Sequence, residues 1–130
     1  MTVFIDTGYF IALLMPRDQW HERAIKAARP GMRFVTSALV INETISLLQA
    51  SGFFSAALEF LRETRANPDL RIVYPEAAQQ LEAWDLFSRW GTGGANAVDC
   101  VSFAIMKELS IKSALTFDEH FRAAGFSTLR

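Results

Sequence analysis

Four acidic residues lie beside or within hydrophobic stretches of this chain, where a purely solvent-exposed role explains them poorly. Asp6 follows Val-Phe-Ile, Glu43 lies within Val-Ile-Asn-Glu-Thr-Ile, Asp99 precedes Cys-Val-Ser-Phe-Ala-Ile, and Asp118 follows Ala-Leu-Thr-Phe. Most of the other acidic residues lie in polar or helical settings that are typical of a solvated surface. These four carboxylates are therefore the candidates for catalysis or metal binding.

A cluster of these carboxylates would require positive charge to be stable. Two carboxylates ~5 Å apart repel by about 3 kcal/mol at an effective dielectric of ~20, so protons or cations must neutralise the cluster. A ligand set made only of oxygen atoms favours Mg²⁺ or Mn²⁺ over Zn²⁺. Such ions bind phosphate groups and lower the pKa of a coordinated water. The chemistry predicted from these residues is metal-dependent hydrolysis of a phosphodiester.

Each acid also has a purely structural interpretation, and taken singly we favour it. Asp6 could close a turn with Gly8, Glu43 could point outward from its helix, and Asp118 could cap a short helix. Asp99 could complete a capping box with Asn96 at the start of another helix. Taken jointly, these interpretations weaken if the fold brings the four acids to one place.

The order of predicted elements provides such a place. Apolar runs predict strands at Val3–Ile5, Phe34–Thr36, Ile72–Pro75 and Ser113–Thr116, with a fifth after Gly125-Phe126. Helical spacing predicts helices at Tyr9–Leu14, Trp20–Ala28, Ala38–Ala50, Phe53–Arg65, Glu76–Trp90, Val98–Leu109 and Glu119–Ala124, and the glycines of 91–94 predict a flexible loop. This alternation indicates a three-layer α/β/α fold with a central parallel sheet of four or five short strands. Asp6 and Asp118 then end strands at one rim of the sheet, and Glu43 and Asp99 lie in helices that begin near it.

Composition restricts the other possibilities. The 130 residues predict a single domain, 1–130, and 51% hydrophobic residues exclude intrinsic disorder. A net charge of -1 provides no general attraction for a polyanion, so binding to nucleic acid requires a local patch or bound cations. One cysteine and two histidines argue against disulfides and zinc. Without a membrane-spanning run or a signal peptide, we expect a cytoplasmic protein and no membrane partner.

Several motifs resemble those of the PIN-domain ribonucleases, and within them the VapC-like toxins of type II toxin–antitoxin systems. The resemblance covers nearly the whole chain and rests on Phe4-Ile5-Asp6-Thr7, Asn42-Glu43-Thr44, residues 99–106, residues 116–121 and Ala124-Gly125-Phe126. It implies an endoribonuclease in which Asp6, Glu43, Asp99 and Asp118 hold one or two Mg²⁺ or Mn²⁺ ions. It further implies hydrogen-bonding support from Thr7 and Thr116, an RNA substrate, a homodimer and a cognate antitoxin.

The chain departs from the family pattern just before Asp99. Relatives commonly carry a charged stretch and a Ser or Thr there, whereas this chain has Gly-Thr-Gly-Gly-Ala-Asn-Ala at 91–97. A fifth acidic ligand is therefore absent from this segment, and Asn96 is left either to orient a metal-bound water or to cap the helix. The alternative hypothesis is a catalytically weak PIN-like module that binds RNA or protein. A receiver-like phosphoacceptor domain fits less well, because Asp6 is followed by Thr7 and no lysine follows Lys112.

Three further features of the sequence could contribute to the site or to a partner surface. His120 lies close to Asp118 and is a candidate for phosphate contact or proton transfer, although a coordinated water needs no histidine base. The spacing of Trp20, Trp84 and Trp90 with other apolar residues favours packing in a core or interface over stacking on bases. Eleven phenylalanines and a mean hydropathy of +0.15 indicate more apolar surface than one small core needs, which a buried partner surface would explain.

Overall fold

A computed structural model describes residues 1–129 of the chain. Its five strands are β1 (Thr2–Ile5), β2 (Arg33–Ser37), β3 (Leu70–Val73), β4 (Ser113–Leu115) and β5 (Ser127–Leu129). Its seven α-helices are α1 (Thr7–Leu14), α2 (His21–Ala27), α3 (Ala38–Ala50), α4 (Phe54–Ala66), α5 (Ala77–Trp90), α6 (Ala97–Glu108) and α7 (Glu119–Ala123). The described chain thus has the alternating element order that its sequence predicts.

All five strands form one parallel sheet in the order β3-β2-β1-β4-β5. Strand β1 lies at the centre, and its Val3 and Phe4 are completely buried, as expected for a strand covered on both faces. The chain continues from β1 to β2 on one side and later to β4 on the other. This reversal of direction opens a crevice at the carboxyl ends of β1 and its neighbours, where parallel sheets bind their ligands.

The helices pack with one another in two groups, α1 to α4 and α5 to α7, which form the outer layers of the three-layer fold. Helix α6 is the most deeply buried of them, because eight consecutive residues from Asp99 to Met106 are buried. Helix α3 has the bounds that the sequence predicts, and its Ser37 cap accepts a hydrogen bond from the Val40 backbone N–H at 3.2 Å. The predicted three-layer α/β fold with a parallel sheet of four or five strands is confirmed, and the sheet has five.

Two local predictions were wrong. Strand β3 ends at Val73, and the Tyr74 side chain is 72% exposed instead of lying in the sheet. Residues Gly91–Gly93 form a 3₁₀ turn that extends α5, so this segment is ordered rather than a flexible loop. On α5, Leu81, Trp84 and Phe87 are exposed, whereas Leu86 packs against the core. Helical spacing shows which residues share a face but not what covers it.

Within residues 1–129, none of the helices is long and apolar enough to cross a membrane.

Candidate functional site

The register of β1 and β4 places the first acid of the site. Ile5 pairs with Leu115, so the next residues along these strands, Asp6 and Thr116, are neighbours at the rim of the sheet. The buried Thr116 hydroxyl donates a hydrogen bond to Asp6 Oδ2 at 2.8 Å, and Thr116 Oγ1 accepts one from the backbone N–H of Asp118 at 3.0 Å. Thr116 therefore links two of the acids and orients the Asp6 carboxylate.

The second buried acid, Asp99, is held by a capping box at the start of α6. Its backbone N–H donates to Asn96 Oδ1 at 2.8 Å, and its Oδ2 accepts a hydrogen bond from the Asn96 backbone N–H at 3.0 Å. These reciprocal bonds satisfy two backbone donors that the first turn of a helix otherwise leaves unpaired. The same geometry fixes the Asp99 side chain in place, with only 5% of the residue exposed.

Asp118 caps the short helix α7 in a similar way. Its Oδ1 accepts a hydrogen bond from the backbone N–H of His120 at 2.9 Å, and the ring Nδ1 of His120 lies 2.5 Å from the same oxygen. The other ring nitrogen, Nε2, lies 3.0 Å from the carbonyl oxygen of Gly93. His120 thus joins the Asp118 carboxylate to the glycine-rich turn before α6.

All four predicted acids line a single open pocket at this rim. Glu43, half-buried, reaches it from α3, and Asp6, Asp99 and Asp118 reach it from the ends of β1, α6 and β4 respectively. Of the predicted supporting residues, Thr7 and Asn96 also line the pocket, and Thr116 is buried next to Asp6. The structure therefore brings together all seven residues that the sequence singled out.

Burial and mutual repulsion give two of these carboxylates unusual affinity for protons. Burial, followed by the charge of Asp99, raises the pKa of Asp6 from 3.8 to about 7 despite the Thr116 hydrogen bond. Burial raises the pKa of Asp99 to about 6, and the charges of Asp118 and Glu43 add to the effect, which the Asn96 hydrogen bond opposes. The pocket therefore concentrates negative charge.

A hard divalent cation fits this environment. The donor set is dominated by carboxylate oxygens, which such ions prefer, and a cation would relieve the repulsion that raises both pKa values. Ligand atoms of Asp99, Asp118 and His120 lie within 4.8 Å of one another. In addition, Thr7 Oγ1 is buried and finds no hydrogen-bond partner among residues 1–129, although Thr7 lines the pocket. An orphaned buried hydroxyl at this position is suited to a bound water or to a substrate oxygen.

His120 has a larger role than its sequence context indicated. Burial alone would lower the pKa of its ring, but the Asp118 carboxylate and the Gly93 carbonyl raise that pKa above its usual value. The contact also explains Gly94, whose φ of +107° is left-handed and whose added Cβ would lie 2.8 Å from His120 Nε2. No local pattern predicts this contact, because Gly93 and His120 are 27 residues apart.

Asp18 is the acidic residue of the pocket that sequence reasoning missed. It lines the pocket beside Trp20, and its Oδ1 accepts a hydrogen bond from the Trp20 backbone N–H at 2.8 Å. In sequence it lies in Pro-Arg-Asp, where it looks like a polar loop residue that interrupts a helix. The neighbouring proline and the loop setting thus conceal its position next to the four acids.

Comparisons with known proteins identify relatives of this chain. The PIN domain family model matches residues 3–127. The chain is 32% identical to the 23S rRNA-specific endonuclease VapC20 of Mycobacterium tuberculosis, over 98% of both chains. The crystal structure of VapC20, described as a sarcin-ricin loop cleaving toxin, matches with a TM-score of 0.87 over 95% of both chains.

Two more distant structures share the fold. FitAcB from Neisseria gonorrhoeae, 18% identical, has a TM-score of 0.70 and covers 100% of this chain and 97% of its own. VapBC-1 from nontypeable Haemophilus influenzae, 17% identical, has a TM-score of 0.66 with coverage of 98% and 96%. With the family model matching nearly the whole sequence and VapC20 matching over almost all of its length, the chain belongs to the PIN domain family as a VapC-like member.

Proposed function

We propose that this protein is a metal-dependent endoribonuclease that hydrolyses RNA phosphodiester bonds and acts as the toxin of a toxin–antitoxin pair. The observation that carries the proposal is the convergence of Asp6, Glu43, Asp99 and Asp118 on one open pocket at the rim of the parallel sheet. In this proposal the whole chain, residues 1–130, acts as one PIN-like domain.

Mg²⁺ or Mn²⁺ is the proposed cofactor, because the four acids provide only oxygen ligands. Such an ion supplies a water of lowered pKa and neutralises charge on the phosphate. Asp6 and Asp99 are the central ligands, since they are the two most deeply buried acids of the pocket. Glu43 and Asp118 complete the charge and orient water.

The supporting residues keep these ligands in place. Thr116 holds Asp6 through its hydroxyl, and Asn96 holds Asp99 through the capping box. Thr7 offers its unpaired hydroxyl to the pocket. These residues reduce the freedom of the carboxylates before an ion or substrate arrives, which lowers the cost of organising the reaction.

RNA is the proposed substrate, and 23S rRNA is the first RNA to test, since the relative VapC20 is an endonuclease specific for it. A cognate antitoxin and a second copy of this chain are the proposed protein partners. Large apolar side chains on α3, α4 and α5 are exposed and available to both partners, and they are Leu47, Phe53, Phe54, Leu58, Leu81, Trp84 and Phe87. Exposed apolar side chains of this kind are typical of protein interfaces.

Cleavage of RNA with Mg²⁺ or Mn²⁺ tests the enzymatic proposal. We expect Asp6→Asn to abolish cleavage, whereas Asp85→Asn, the same change on the exposed surface of α5, leaves it intact. Isothermal titration with Mn²⁺ should show saturable binding that is lost in Asp99→Asn. An Asp6→Asn protein that cuts RNA at the wild-type rate would refute the assignment, and metal-independent RNA binding without cleavage would favour the binding-module alternative.

A further inference from the structure

Three cations of α2 and the segment after it form a strip along one open groove. Arg23, Lys26 and Arg29 line an open groove that is completed by Met1, Ala27, Met32, Thr128 and Leu129. Arg23 and Lys26 share one face of the helix, being three residues apart, and Arg29 follows two residues after its end. None of the three cations forms an ion pair within the part of the chain that the structure describes, residues 1–129.

This strip connects to the acidic pocket through Trp20. The Trp20 ring lines the pocket and stacks on Phe117 with a centroid distance of 5.1 Å and an interplanar angle of 7°. The guanidinium carbon of Arg23 lies 5.3 Å from the centroid of the same ring. Arg23 is therefore separated from the acidic pocket by a single packed side chain, and the strip extends from it along α2.

Seven other cations of the described chain lack this combination of features. Arg33, Arg62, Lys107 and Arg122 each lie within 4.0 Å of an acidic side chain. Arg71, Arg89 and Lys112 line other grooves, whereas Arg23 contacts Trp20, a residue that lines the acidic pocket. The strip on α2 differs from these seven cations because it combines unpaired charge with the contact between Arg23 and Trp20.

We propose that Arg23, Lys26 and Arg29 bind the phosphate backbone of the RNA segment that leads away from the cleavage pocket. This inference rests on the proposed function, because it places the scissile bond at the four acids. The chain has a net charge of -1, so attraction of RNA must come from a local patch. Cations beside the acidic pocket offset its repulsion of the backbone, and phosphate contacts of this kind set the position of an RNA without reading its sequence.

The test replaces the strip with neutral side chains of similar length. Arg23→Gln, Lys26→Gln and Arg29→Gln are combined, and affinity for a synthetic sarcin–ricin hairpin is measured from low to high salt in an Asp6→Asn background that prevents cleavage. Three lost phosphate contacts should reduce the slope of log affinity against log salt by about 2, at about 0.7 per contact. At about 0.1 M salt this corresponds to about 100-fold weaker binding.

The matched control combines Arg71→Gln, Arg89→Gln and Lys112→Gln, which changes the net charge equally. We expect this control to bind within about threefold of the parent protein, since it leaves the strip intact. Equal weakening in both triple variants would overturn the proposal, because net charge alone would then explain binding. Unchanged RNA affinity combined with loss of inhibition by the antitoxin would also overturn it, assigning the strip to an acidic protein.

The cleavage assay separates this inference from the proposed function. If the wild-type protein cuts RNA and the α2 triple variant binds RNA normally, the assignment of the strip to RNA binding is wrong, whereas the proposed nuclease function is supported. If the wild-type protein cuts no RNA but the α2 triple variant alone loses the salt-dependent binding, the nuclease assignment fails and the RNA surface stands.

Discussion

Replacing Asp6 by asparagine should stabilise the metal-free protein. Asp6 is only 5% exposed, and its pKa rises from 3.8 to about 7 through burial and the charge of Asp99. Each pKa unit corresponds to about 1.4 kcal/mol, so the ionised carboxylate destabilises the fold by up to about 4 kcal/mol. Asparagine removes the charge and keeps an oxygen that can accept the Thr116 hydrogen bond. We therefore expect Asp6→Asn to raise the free energy of unfolding by about 2–4 kcal/mol at about pH 8.

The sign of the pH dependence follows from which state binds the proton more tightly. Because the pKa of Asp6 is higher in the folded protein, the contribution of Asp6 to stability is greatest below about pH 4 and falls as the pH rises to about 7. The Asn variant lacks this contribution. The amount by which its free energy of unfolding exceeds that of the wild type should therefore grow by about 2–3 kcal/mol between about pH 5 and about pH 8.

Urea unfolding in EDTA over this pH range measures the difference, with Asp85→Asn as the surface control that should stay within about 0.5 kcal/mol of wild type. Mn²⁺ should then reduce or reverse the difference in unfolding free energy between Asp6→Asn and the wild type. An ion at about 100 times its Kd stabilises the wild type by about 2.7 kcal/mol and binds the variant more weakly. Parallel stability curves for wild type and Asp6→Asn across this range would refute the account of a strained, buried carboxylate.

Three other substitutions test individual contacts around the pocket. Gly94→Ala should destabilise the fold by about 1–2 kcal/mol and slow cleavage, because the added Cβ lies against His120 at a residue with left-handed backbone. Gly93→Ala is the control in urea unfolding, since a Cβ added at Gly93 meets no atom within 4 Å. Asn96→Ala should lose about 1 kcal/mol by removing the capping box, and should also weaken Mn²⁺ binding measured by calorimetry. Thr7→Val should leave thermal stability equal or higher, since it removes an unpaired buried hydroxyl, yet slow RNA cleavage in a steady-state assay.

The fold could be predicted well because short apolar runs and helix caps are local signals. Val3–Ile5 is apolar throughout, as a strand buried on both faces requires, and Ser37 precedes a helix that begins and ends at the predicted residues. The exposure of Trp84 could not be predicted from its spacing on α5. Periodicity identifies a shared helix face, whereas burial depends on which element or partner covers that face.

Sequence predicted a common rim for the acids but not the contacts that organise it. The Thr116 to Asp6 hydrogen bond depends on β4 lying directly beside β1, and strand order is not a local property of either segment. The contact between His120 and the Gly93 carbonyl depends on how α7 approaches the start of α6. These interactions arise from tertiary packing, so only the coordinates identify them.

Capping and ligand roles are combined in the same side chains rather than being alternatives. Asp99 accepts a helix-capping hydrogen bond through Oδ2 and Asp118 accepts one through Oδ1, and both residues line the acidic pocket. A change of either residue to alanine would therefore remove a helix cap and a proposed metal ligand together, and lost activity could be assigned to neither. Asparagine retains an acceptor oxygen for the capping N–H while it removes the charge. If Asp99→Asn keeps the stability of α6 but loses Mn²⁺ binding, the carboxylate charge itself, and not the fold of the helix, holds the ion.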